Sequence, residues 1–165
     1  MDWCTGTKIE NLKGIVYKNG GKLIKNSPQD PYFNKLPPIS WKFFKIKRYN
    51  SYVYQISRGC PYSCVFCSWA NKRYQLKSVK TVIHDLEDLD KYGVKWVYLL
   101  CSQITTNSRW LYDFCTEKIK RRIKILWSTD IRANELTIEK AKLMREAGCV
   151  RVFMGVESID TNLLS

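Results

Sequence analysis

The sequence predicts an α/β fold built on a parallel sheet, and three observations carry that prediction. Short apolar runs that suit buried strands alternate with amphipathic stretches of helical period, in the order β-α-β-α-β-α-β. Two of the helical stretches open at a capping residue, Ser78 and Thr137, and close at a glycine, Gly93 and Gly148. The carboxyl ends of all four apolar runs carry polar or thiol groups, which is where parallel α/β proteins place their chemistry.

Taken in order, residues 11–25 read as a hairpin. Ile15, Val16 and Tyr17 form one arm, Asn19-Gly20-Gly21 the turn, and Leu23 and Ile24 the other arm. Residues 26–41 hold four of the five prolines and read as an extended linker. Tyr52 to Ile56 is the first strand of the alternating part and leads straight to a cysteine cluster. Ser78 caps a helix through about Tyr92, with Val79, Val82, Ile83, Leu86 and Leu89 on one face. Val94–Leu100 is the second strand and residues 108–121 the second helix. Ile123–Ser128 is the third strand. Thr137 caps the third helix, Val150–Val156 is the fourth strand, and a fourth helix starts at Asp160. Strand pairs joined this way have right-handed crossovers. The sheet is left with an unpaired edge after its fourth strand.

Composition excludes several classes. With 45% hydrophobic and 26% charged residues the 165-residue chain is not disordered. No apolar run approaches the ~20 residues of a spanning helix, and the opening MDWCTGTKIENLKG has no apolar core, so neither a membrane span nor a signal peptide is expected. The expected location is the cytoplasm. The formal net charge is +13, concentrated in the first third of the chain. A lysine-rich surface accounts for that, and a polyanionic partner such as nucleic acid is the alternative.

Seven cysteines without an export signal do not suggest a disulfide framework. Cys60, Cys64 and Cys67 fall within eight residues as C-x3-C-x2-C. Three thiolates on one short loop suit an iron–sulfur cubane and leave one metal position open. Two other readings stay open: zinc, with His84 or Cys101 as a fourth ligand, and a chance grouping of inert thiols. Only one C-x2-C is present, where a four-cysteine zinc site usually shows two.

The run Ile56-Ser57-Arg58-Gly59-Cys60-Pro61-Tyr62-Ser63-Cys64-Val65-Phe66-Cys67-Ser68-Trp69 resembles the signature of radical S-adenosylmethionine (SAM) enzymes, including the aromatic Phe66 before the third cysteine. The runs Trp127–Arg132 and 142–158 resemble the same family, so the likeness covers residues 52–165. Residues 11–41 resemble the segment that leads from the cobalamin domain into the barrel in cobalamin-binding members.

The resemblance implies a partial TIM-type barrel of about four βα units over residues 42–165, the first part of a radical SAM core. Residues 1–41 would then be the tail of a preceding domain, of the cobalamin-binding kind, plus the linker, and the chain a partial one. Cys60, Cys64 and Cys67 would ligate a 4Fe–4S cluster, with SAM on the fourth iron. Reductive cleavage of SAM would yield a 5′-deoxyadenosyl radical that abstracts hydrogen from a small-molecule or unknown substrate. An electron donor such as a flavodoxin or ferredoxin is implied. Cobalamin would be carried by a domain outside this chain.

Other positions carry over from the same likeness. Ser102 and Gln103 fall where relatives contact the methionine amino group, although relatives are commonly acidic there. Arg132 would pair with the SAM carboxylate, in keeping with guanidinium geometry. Glu157 would accept the ribose hydroxyls, with Ser158 beside it, and Phe66 would pack near the adenine. Trp69, Tyr74 and Trp96 read as core or rim aromatics, with stacking on a nucleobase the alternative. Two further readings are a non-catalytic iron–sulfur or zinc-binding remnant and an RNA-modifying radical SAM enzyme.

Overall fold

A computed structural model describes residues 6–28, 33–46, 49 and 51–160. The chain divides into two compact units, residues 1–32 and 33–165. In the first, strands β1 (Val16–Asn19) and β2 (Lys22–Lys25) pair antiparallel from Val16↔Lys25 to Asn19↔Lys22. Gly20 and Gly21 form the turn with φ of 54° and 84°, the positive values that a tight two-residue hairpin needs at both positions. The Asn26 side chain closes the unit, donating to the carbonyls of Ile9 (3.0 Å) and Leu12 (2.6 Å). The hairpin is where the sequence places it.

The second unit holds the alternating part. The expected linker is not wholly extended there: it carries short 3-10 turns at Phe33–Lys35 and Trp41–Phe43, each burying its aromatic. Then follow β3 (Tyr52–Gln55), β4 (Ser57–Cys60), β5 (Lys72–Leu76), α1 (Val79–Lys91), β6 (Trp96–Leu100), α2 (Ser108–Lys120), β7 (Leu126–Ile131), α3 (Ile138–Glu146) and β8 (Cys149–Met154). Strands β3, β6, β7 and β8 form one parallel sheet in that spatial order, so each helix links two adjacent strands. This is the expected α/β architecture of four strands. β3 and β8 are its edges.

The helices form for local reasons. Ser78, Asn107 and Thr137 each accept a hydrogen bond from the amide three residues on, at 3.1, 3.0 and 3.3 Å. Gly93 and Gly148 follow α1 and α3 with φ of 82° and 86°. The apolar face of α1, with Val82, Ile83, Leu86 and Leu89 buried, packs over Tyr54, Val97 and Leu99 of the sheet. From α2, Trp110 stacks on Phe114 at 5.2 Å, and Phe114 meets Trp127 of β7 edge-on at 5.4 Å.

One ionic group lies in this core. The Asp85 carboxylate accepts from the Ile39 amide (2.7 Å) and the Tyr54 hydroxyl, and the Lys77 ammonium lies 3.8 Å away. Burial raises the Asp85 carboxyl and lowers the Lys77 ammonium from their ordinary values. Its four hydrogen-bonded and ionic members fasten the 33–46 segment, β3 and the end of β5 to α1.

Three expectations need correction. The third strand runs Leu126–Ile131 rather than 123–128, because Ile123 and Ile125 are core side chains on the approach to the ladder. The fourth runs Cys149–Met154 rather than 150–156. The cysteines do not follow the first strand directly: a separate antiparallel hairpin, β4–β5, carries them. Beyond Asp160, the expected fourth helix lies outside the described residues. Among them, no helix is long and apolar enough to cross a membrane.

Candidate active site

Hairpin β4–β5 stands just past the carboxyl end of β3. Its stem pairs Ser57↔Leu76 and Arg58↔Gln75, then shifts register at a bulge before Cys60↔Lys72. Gly59 makes the bulge possible. Its φ is 72°, and a Cβ there would stand 2.1 Å from the Arg73 carbonyl oxygen. The loop between the arms is a set of nested turns: Cys67 N–H donates to Cys64 O (3.1 Å), Ala70 N–H to Cys67 O (3.1 Å), and Asn71 N–H to Tyr62 O (2.8 Å).

Cys60 is buried, and Cys64 and Cys67 are half-buried. All six cysteines among the described residues are free thiols. Burial pushes the Cys60 thiol above its ordinary value, and the neighbouring Cys67 and Cys64 push it further; the Ser102 hydroxyl and the Arg132 guanidinium pull it back. Cys64 and Cys67 thus both lie near enough to Cys60 to act on its thiol. They are not drawn together into a cage: among the described residues no three His, Cys, Asp or Glu side chains converge as a metal site. The donor chemistry is what an iron–sulfur cluster takes, namely three soft thiols on one short loop. His84 is half-exposed on α1, where its partners are Asp85 and Asp88. Cys101 is buried against the Tyr74 hydroxyl at 3.5 Å.

The strand ends supply the surroundings. After β6, Ser102 clasps the hairpin stem: its amide donates to Ser57 Oγ (3.1 Å) and its hydroxyl to the Gly59 carbonyl (2.6 Å). The Ser102 hydroxyl proton is thus committed to the backbone next to Cys60. Gln103 accepts at its carbonyl from the Tyr74 hydroxyl (2.7 Å), while its side-chain Oε1 is buried with no hydrogen-bond partner among the described residues. After β7, the Arg132 guanidinium lies 4.3 Å over the Tyr62 ring of the cysteine loop. One strand earlier in the ladder, the Tyr98 hydroxyl donates to Asp130.

After β8, Glu157 is exposed with φ of 60°, and a Cβ on Gly155 would lie 2.5 Å from its Oε1. Ser158 Oγ accepts from the Asp160 amide at 3.0 Å. Phe66 is 71% exposed on the loop tip, with Trp69 at 58%. The fold thus brings Cys60, Cys64, Cys67, Ser102 and Arg132 together, with Gln103 attached through Tyr74. Glu157, Ser158 and Phe66 make no hydrogen bond to that group among the described residues. Sequence reasoning did not find Ser57, Thr106 or Glu135 as part of this end of the molecule. Ser57 and Tyr62 lie inside the signature run and were open to being found, whereas nothing local marks Glu135.

An iron–sulfur donor set on a loop at the carboxyl end of a parallel α/β sheet defines a class, and the comparison with known families agrees. The chain belongs to the radical SAM superfamily, whose family model matches residues 54–165. Membership brings a 4Fe–4S cluster and SAM as cofactors. An uncharacterized methyltransferase of Pyrococcus horikoshii is 31% identical over 171 residues, covering 96% of this chain and 37% of that protein. The anaerobic magnesium-protoporphyrin IX monomethyl ester cyclase of Cereibacter sphaeroides is 27% identical over 170 residues, covering 89% and 26%.

Among solved structures, the cobalamin-dependent SAM radical enzyme OxsB, with aqua-cobalamin and SAM bound, matches with a TM-score of 0.79 at 24% identity, over 99% of this chain and 26% of that one. The radical SAM methyltransferase TsrM from Kitasatospora setae, with cobalamin and a 4Fe–4S cluster bound, matches with a TM-score of 0.78 at 17% identity, over 98% and 36%. At those identities the structures establish the shared fold. The chain spans 26% to 37% of the length of these four proteins.

Proposed function

We propose that residues 42–165 are the first part of a radical SAM core in which Cys60, Cys64 and Cys67 hold a 4Fe–4S cluster. The observation that carries this is the set of three free thiols on one nested-turn loop, with Arg132 over the Tyr62 ring of the same loop. When bound, the cluster and SAM supply one-electron reductive cleavage of SAM and hydrogen abstraction from substrate.

This chain's own residues do the rest. Ser57 and Ser102 fix the stem at Gly59 and so set where Cys60 stands. The Arg132 guanidinium offers a fork to a carboxylate. The unpartnered Gln103 Oε1 accepts from an ammonium, which suits the amino group of a methionine moiety. Glu157 and Ser158 serve ribose hydroxyls and Phe66 covers the adenine.

Residues 1–41 are read as the tail of a preceding domain plus its linker. The matched structures, one a cobalamin-dependent enzyme and one a methyltransferase with cobalamin bound, favour cobalamin chemistry, with a cobalamin held by a domain outside residues 1–165. The magnesium-protoporphyrin ester in the name of the Cereibacter sphaeroides relative speaks for a small-molecule substrate over RNA. A flavodoxin- or ferredoxin-type donor and a cytoplasmic setting complete the proposal.

The test is anaerobic reconstitution of the intact protein with iron and sulfide. Each single Cys→Ser change at positions 60, 64 and 67 is expected to abolish the cluster, while Cys115→Ser retains it. Retention of a full cluster by any of the three loop variants, or a zinc content of one per chain in its place, refutes the assignment.

A further inference from the structure

We propose that Glu135 is a positioning residue for the cysteine loop, acting through Thr106 and Tyr62. Nothing in the signature run points to it: it lies 68 residues beyond Cys67, in the short 3-10 turn Ala133–Glu135 after β7. Its half-buried carboxylate has no ion-pair partner within 4 Å among the described residues. Lys140, the nearest cation named beside it, instead donates to the carbonyls of Thr105 (3.2 Å) and Glu135 (3.0 Å). The partners of the carboxylate are two hydroxyls of the turn after β6. Thr105 Oγ1 donates to Oε2 at 2.8 Å and Thr106 Oγ1 to the same oxygen at 3.2 Å.

A carboxylate only accepts, so this bond fixes the direction of the next one. With its proton on Glu135, Thr106 Oγ1 can only accept from the Tyr62 hydroxyl, 3.3 Å away. Tyr62 lies between Cys60 and Cys64. Its carbonyl accepts from the Asn71 amide that closes the loop, and its ring is the platform under the Arg132 guanidinium. One carboxylate therefore orients a chain of hydroxyls that ends on the loop between two thiols and on the cation facing Cys60. The Ser57–Ser102 clasp holds the stem, and the Glu135 chain holds the outer arm.

The function assigned to the loop rests on the cluster reading above, but the first arm of the test does not need a cluster. Hydrogen–deuterium exchange of the metal-free intact protein reads the loop amides directly. Glu135→Ala is expected to speed exchange at Cys67, Ala70 and Asn71 by about 10-fold, the loss of one charge-assisted bond, while α1 exchange stays unchanged. Tyr62→Phe, which keeps the ring under Arg132, should match it. The double variant should be no faster than either single one, because both break the same chain. Glu135→Gln retains an acceptor oxygen and should recover most of the protection.

The second arm measures the midpoint potential of the reconstituted cluster, which Glu135→Ala shifts and Glu135→Gln restores. Unchanged loop exchange, fully additive single effects, or equal effects in Ala and Gln variants would overturn the proposal. If Glu135→Ala does not fold, Tyr62→Phe and Glu135→Gln still decide it. If the wild type takes up no cluster, the cluster reading fails while the exchange arm still judges Glu135.

Discussion

At the scale of single residues, the site depends on positions that hold no ligand. Gly59 is the clearest. Its φ is 72°, and a methyl group on its Cα would stand 2.1 Å from the Arg73 carbonyl oxygen, so the bulge has no room for a side chain. The obstacle is backbone, so it cannot swing aside. Gly59→Ala is expected to cost about 2–4 kcal/mol and to disrupt the hairpin beside Cys60. Chemical denaturation gives the stability, and iron uptake gives the effect on the loop. A variant as stable as the wild type would show that the bulge tolerates a side chain. The positions of the cysteine triad and Arg132 were legible because they sit at strand ends in runs that resemble the family's, whereas Gln103 sits at a strand end where relatives are commonly acidic. Ser102 was legible as a position, while its actual bonds, to Ser57 and Gly59, were not, since they depend on how two strand ends meet.

At the scale of elements, the sheet and helices were legible because caps, glycines and apolar periodicity agreed with one another. Hairpin β4–β5 was not. Its arms, Ser57–Cys60 and Lys72–Leu76, lack a clean alternation, and their pairing depends on the bulge at Gly59. Strand β7 was misplaced by three residues at each end because its polar members, Thr129 and Asp130, are satisfied across strands by Leu99 O and Tyr98. No local pattern reveals such partners.

Helix α2 carries a testable charge. Lys118 is buried, and its ammonium donates to the Ile123 carbonyl at 2.8 Å. Burial lowers its pKa to about 8, with Asp90 and Cys115 opposing the fall. Between that value and the ordinary one of an unfolded lysine, the unfolded chain binds the extra proton, so this group's contribution makes stability rise with pH across that window. The buried thiols Cys115 and Cys149, raised to about 12 and 11, act the opposite way, so the comparison must be between wild type and Lys118→Met. The stability of wild type relative to that variant is expected to rise by up to roughly 3 kcal/mol from about pH 7.5 to about 10.5. A flat difference in urea titrations would contradict it.

At the scale of the whole molecule, one face of the sheet is packed by helices and the other bears exposed apolar side chains, among them Val53, Leu100, Leu126 and Phe153. Polar groups from all four strand ends lie at the same end of the sheet. The fold class followed from alternation alone, and the barrel kinship from the signature. The chain divides into compact units after residue 32, and the buried aromatics Phe33 and Trp41 belong to the second.

The central claim is that the cysteine loop holds a cluster with one iron open to SAM. Electron paramagnetic resonance of the anaerobically reconstituted, dithionite-reduced protein, recorded with and without SAM, tests it most directly. A reduced 4Fe–4S signal whose g-values shift when SAM is added is the expected result. A cluster signal indifferent to SAM, or no cluster at all, would contradict it.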